Sequence, residues 1–223
     1  MVSTAGTRQT VEWGRRMPGA QAAGWRSALL RAARRRLADP ARLRVGMTWL
    51  VGVALGYAAC LLVLGLGGAR PGVAPWLTIP ASSYFLWEAV FIAPVIVAGG
   101  VLAAGCMHLL ARATGAIGRF DDAMALIGQA IGLCTLITLV PDLVVGVLLC
   151  TGLVDADAWM RAITHPTAVL GLVWVYLLAY ALAFLVAFPV VARAAYHVSR
   201  ARAVAIGWAV FVIYQGFVYV FVR

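Results

Sequence analysis

Hydrophobic residues fall into five long runs, at about 45–68, 84–111, 123–153, 167–192 and 203–222, separated by short polar stretches. Each reaches the ~20 residues that a helix rising about 1.5 Å per residue needs to cross a hydrocarbon core of about 30 Å. The pattern predicts an all-α polytopic transmembrane bundle of five helices (residues 41–223) behind a short basic N-terminal segment (residues 1–40). The third run is longer than a bilayer requires: its 31 residues would extend about 46 Å as one helix. Pro141 lies inside it, so the expectation is a kink there, or a helix end followed by a re-entrant stretch reaching Leu153.

The glycines and prolines punctuate this pattern. Gly52 and Gly56 in the first run, and Gly128 and Gly132 in the third, share the spacing that lets spanning helices approach closely. Gly67 to Pro80 reads as a loop. Trp76, Tyr84, Trp87 and Trp159 lie where aromatic side chains favour the membrane interface. Pro166 stands at the start of the fourth run, in keeping with a helix's first turn.

Composition agrees with the runs. Apolar residues make up 64% of the chain and charged residues 12%, about half of what a soluble domain carries. The formal charge of +10 is not spread as a nucleic-acid surface would need. All eighteen basic residues are arginine, and fifteen of them fall on the N-terminal segment and the alternate loops that share its side, against three on the other side. The positive-inside rule then puts the N-terminus, residues 112–122 and residues 193–202 in the cytoplasm and the C-terminus outside. Arginine-only usage, with abundant alanine, valine and glycine, fits a GC-rich bacterial genome and so an inner membrane. The tail before the first run is too long for a signal-peptide n-region.

Residues 1–20 read as disordered. Residues 22–37 have helix-forming composition, with Trp25, Leu29, Ala33 and Leu37 at i, i+4 spacing. Arg31, Arg34 and Arg35 lie off that stripe, whereas Arg26 and Arg36 intrude on it. Such a segment is expected to lie on the membrane surface and attract anionic lipid headgroups, at about 1 kcal/mol per arginine. Asp39-Pro40 ends it.

Two acids fall inside the apolar runs, Glu88 and Asp142, and intramembrane acids mark function by default. Both lie near the outer ends of their runs, where they could be level with each other. One expectation is a pair of interfacial carboxylates that snorkel or pair with Arg70 or Arg161; the other is a shared proton or cation site. His108 and Gln129, nearer the inner ends, are placed to form a polar bridge between two helices. Gln215 is a further intramembrane polar residue. Cys60, Cys106, Cys134 and Cys150 lie within apolar runs as small packing residues, and no cysteine cluster has metal spacing. Asp155, Asp157 and His165 share a loop without a metal motif. No nucleotide-binding or catalytic motif occurs, so no cofactor and no enzymatic activity are expected.

Two stretches resemble the Yip1 family of five-span membrane proteins. The first is Leu109-Leu110-Ala111-Arg112-Ala113-Thr114-Gly115-Ala116-Ile117-Gly118-Arg119-Phe120-Asp121-Asp122, a short loop with spaced glycines and an aromatic before polar residues that open a helix bearing Pro141. The second is Tyr196-His197-Val198-Ser199-Arg200-Ala201-Arg202-Ala203, a short basic turn between the last two spans, with Trp174 in the helix before it. The resemblance covers about residues 38–222. It implies a non-enzymatic role in membrane organisation or as an accessory to other membrane proteins or further copies of itself. The DLYGP-type motif of the members associated with Rab-type GTPases is absent from the sequence. The alternative function is a small-solute or ion permease using the two intramembrane acids.

Overall fold

The computed structural model describes residues 18–72 and 79–222. Residues 1–17, Trp76 and Arg223 lie outside the described residues, as do the side chains of Trp25 and Arg26. Seven helices and no strand occur among the described residues: α1 (Pro18–Leu37), α2 (Arg42–Leu66), α3 (Tyr84–Ala113), α4 (Phe120–Cys150), α5 (Ala156–Thr164), α6 (Ala168–Tyr196) and α7 (Arg200–Val222). Helices α2, α3, α4, α6 and α7 are long and apolar enough to cross a membrane. Neighbours around the bundle run α2, α3, α7, α6, α4 and back to α2, and α3 also touches α4 across it.

The half of the bundle nearest the arginine-rich ends is close-packed. Gly46 on α2 lies so near α4 that an added Cβ would fall on the Ala125 backbone, and one on Gly128 would fall on the Gly46 carbonyl. This contact, between residues 82 positions apart, lets α2 and α4 meet backbone to backbone. Ala103, Ala104, Met107, Ala123 and Ile127 are fully buried around it. Of the two expected glycine pairs, the third-run pair serves packing, with Gly132 against Trp49. Gly52 faces open space and Gly56 meets only Leu139, so α2 uses Gly46 instead.

The turn between α3 and α4 is tight. Gly115 takes a φ of 77°, a left-handed conformation that costs a glycine little. Gly118 admits Tyr196 from the end of α6, where a Cβ would collide with its ring. Asp121 and Asp122 occupy the first turn of α4, where the helix dipole favours negative charge. Asp122 also accepts a 2.6 Å charged hydrogen bond from Arg42 Nε, which ties the start of α2 to the start of α4.

The opposite half is looser. Buried residues of α6 begin only at Phe184, and the preceding turns expose Leu172, Trp174, Val175 and Leu178. A bilayer would cover these side chains.

Four expectations change. Helix α4 runs through Pro141 to Cys150 without ending there. The loop between α4 and α6 carries helix α5, capped by the Asp155 carboxylate, which accepts from Ala158 N at 2.9 Å. Tyr84 is buried in the bundle, whereas Trp87 is exposed as expected of a belt residue. Helix α1 seats Leu30, Ala33 and Leu37 on the core and touches α6 and α4, while Leu29 of the expected stripe is exposed.

Candidate intramembrane site

Asp142 follows Pro141 on α4, about 12 Å along the helix from Cys150. Its Oδ2 accepts from the Tyr57 hydroxyl of α2 at 3.1 Å, and its Oδ1 accepts from the Tyr176 hydroxyl of α6 at 3.3 Å. One carboxylate thus joins three helices through two phenols. The expected arginine partner is elsewhere: Arg70 Nη1 lies 3.6 Å from Asp157 in the first turn of α5. A carboxylate held in a spanning helix needs donors, and the tyrosines supply them.

Glu88 lies on α3 one turn from Tyr84. It is 2% exposed, so it does not snorkel at a rim.

Beside Tyr57 lies a cavity of about 530 Å³ whose walls come from all five spanning helices, among them Tyr57, Ile96, Thr138, Tyr180, Phe211 and Tyr214. An aromatic cluster that includes the wall residues Tyr180 and Tyr214 adjoins it. Tyr180 and Phe184 centroids are 4.9 Å apart, and Phe184 stacks on Tyr214 at 5.5 Å. Both geometries are favourable for ring pairs, and they join α6 to α7 where α6 first becomes buried. Gln215 also lines the cavity, near Tyr180, with its Nε2 buried and outside hydrogen-bond geometry to any described residue.

His108 and Gln129 do not bridge. His108 Nδ1 is 2.9 Å from the Tyr196 hydroxyl, and its ring meets Phe120 edge-on. Gln129 Nε2 is buried with no hydrogen-bond partner among the described residues. Gln129 lies about 20 Å along α4 from Asp142, so the four expected polar residues do not form one site. Among the described residues no cluster of three His, Cys, Asp or Glu side chains could hold a metal ion. On α1 the side chains of Arg31, Arg34, Arg35 and Arg36 are exposed.

Sequence reasoning missed Tyr57, Tyr176 and Tyr180. Their signal is depth: Tyr57 stands nine residues before the end of α2, Tyr176 eight after the start of α6, and Asp142 eight before the end of α4. These positions are level in an antiparallel bundle.

The fold defines the class: an all-α chain with five helices able to span a membrane, the build of a multi-pass membrane protein. No family model, curated protein or solved structure matches the chain.

Proposed function

We propose that this chain is a five-span inner-membrane protein of Yip1 type, with its N-terminus in the cytoplasm and its C-terminus outside. It acts without enzymatic chemistry, as a membrane-organising or accessory partner. The observation that carries this reading is the close-packed half of the bundle around Gly46, Gly128 and Ile127. A conduit for solute needs a polar passage through that half, and backbone-to-backbone packing of α2 on α4 fills it. The arginine distribution supports the orientation, and the exposed arginines of α1 support contact with anionic headgroups.

A permease is the second reading. It is favoured by one observation, the Asp142–Tyr57–Tyr176 cluster beside the cavity. Proteoliposomes assayed for proton and cation flux separate the two. The accessory reading expects flux no greater than that of empty vesicles. A wild-type flux abolished by Asp142→Asn or Glu88→Gln would overturn it in favour of the permease.

A further inference from the structure

We propose that the cavity beside Tyr57 is a binding site for a lipophilic organic cation, a quaternary ammonium or phosphonium group carrying apolar substituents. This goes beyond the Yip1-type reading and does not rest on it: the protein could hold such a ligand whether or not it moves it across the membrane.

The first argument is charge. Asp142 brings a carboxyl group to Tyr57, whose hydroxyl donates to it at 3.1 Å. Among the described residues no arginine of a spanning helix shares that depth. The arginines of α2, α3, α6 and α7 all lie toward the opposite ends of their helices, as Arg42 and Arg44, Arg112, Arg193, and Arg200 and Arg202. Among the described residues Asp142 accepts from the Tyr57 and Tyr176 hydroxyls and forms no ion pair. It stands behind the Tyr57 wall of the cavity, so a cation held there is drawn toward it across that phenol.

The second argument is the kind of cation. Small hard ions demand several oxygen ligands at short range. The walls here are chiefly carbon, with aromatic rings on Tyr57, Tyr180, Phe211, Tyr214 and Tyr219. Ring faces attract a cation through their quadrupole and do so most strongly when water is excluded. A diffuse charge wrapped in hydrocarbon suits that lining, whereas a hydrated sodium or potassium ion does not.

Access and size agree. Leu177, Val212 and Tyr219 line the cavity and are 37%, 66% and 46% exposed on the flank between α6 and α7. The mouth therefore faces the bilayer, where an amphiphilic cation accumulates. A volume of about 530 Å³ lies within the ~300–1,000 Å³ of pockets that hold drug-sized ligands.

The test uses the full chain in nanodiscs of zwitterionic lipid, titrated with tetraphenylphosphonium and, in parallel, with tetraphenylborate. The two probes share size and shape and differ in the sign of the charge. The expected result is saturable phosphonium binding above that of empty nanodiscs, with borate showing lipid partitioning only. Asp142→Asn should weaken phosphonium binding about tenfold, the effect of roughly 1.4 kcal/mol. Tyr180→Phe keeps the ring and should retain affinity, whereas Tyr180→Leu should lose it. Borate binding as tight as phosphonium binding, no saturable phosphonium binding to wild type, or a folded Asp142→Asn protein of unchanged affinity would each overturn the proposal. If Asp142→Asn fails to fold, the wild-type comparison of the two probes and the Tyr180 pair still decide it. Failure here leaves the arginine-based orientation and the closed half of the bundle untouched.

Discussion

The Arg42–Asp122 contact ties the start of α2 to the start of α4, and its strength can be bounded. Arg42 Nε stands 2.6 Å from Asp122 Oδ1, with side-chain exposures of 21% and 19%. Fully exposed pairs contribute about 0–1 kcal/mol, and breaking a fully buried pair costs about 3–5 kcal/mol. A pair one-fifth exposed falls between, near the ~1.5–3 kcal/mol of a hydrogen bond to a charged group. Screening by salt at this partly exposed pair lowers this to a coupling of about 1–2 kcal/mol. Asp122 also sits in the first turn of α4, so Asp122→Asn should cost a further ~0.3–1 kcal/mol that Arg42→Gln does not. A double-mutant cycle isolates the pair from that dipole contribution. The internal control is Arg119–Asp121, at 3.0 Å but with exposures of 69% and 45%, whose coupling should stay below about 0.5 kcal/mol. Reversible unfolding in mixed micelles supplies the four stabilities of each cycle. An Arg42–Asp122 coupling no larger than the control would refute the argument that partial burial strengthens this bridge.

Two further outcomes are expected. Gly46→Val and Gly128→Val should each destabilise the bundle by about 3 kcal/mol or more, the upper end of overpacking costs, because the new atoms meet backbone rather than flexible side chains. Gly52→Val, with no heavy atom within 4 Å of an added Cβ, should change stability by less than about 0.5 kcal/mol; equal effects at the three positions in the same unfolding assay would contradict the α2–α4 contact. Anionic lipid added to the detergent-solubilised protein should raise its thermal midpoint more than zwitterionic lipid does. The difference should shrink with added salt and on changing Arg31, Arg34, Arg35 and Arg36 to glutamine, and a response indifferent to lipid charge would leave those arginines without a headgroup role.

Hydropathy located the five spanning helices because a long apolar run has little alternative to burial in lipid or protein. It said less about which faces meet. Glycine spacing pointed to Gly52 on α2, while the bundle uses Gly46, since close approach depends on which face turns toward α4 rather than on spacing alone. Pro141 did not end α4: the helix continues to Cys150, as spanning helices tolerate an internal proline. Helix α5 was overlooked although Asp155, Asp157 and Arg161 carry the charge order of a capped helix. At the site, the sequence exposed Asp142 and Glu88 by their cost in a membrane, but not their partners. Tyrosines read as ordinary apolar or belt residues until their depths are matched across antiparallel helices. His108 found Tyr196, 88 positions away, whose ring occupies the space a side chain at Gly118 would fill.

The closed half of the bundle is tested most directly by cysteine accessibility in the full-length protein with Cys60, Cys106, Cys134 and Cys150 replaced. Single cysteines are placed at Ala104 and Ile127, both 0% exposed, and at Ile117, 83% exposed in the turn between α3 and α4. A membrane-impermeant maleimide is applied to right-side-out and to inverted membrane vesicles. The account predicts that Ile117→Cys reacts only in inverted vesicles, while Ala104→Cys and Ile127→Cys stay unlabelled from both faces. Labelling of Ala104→Cys or Ile127→Cys from either face would reveal a water-filled path through the half of the bundle described as sealed, and would contradict the account.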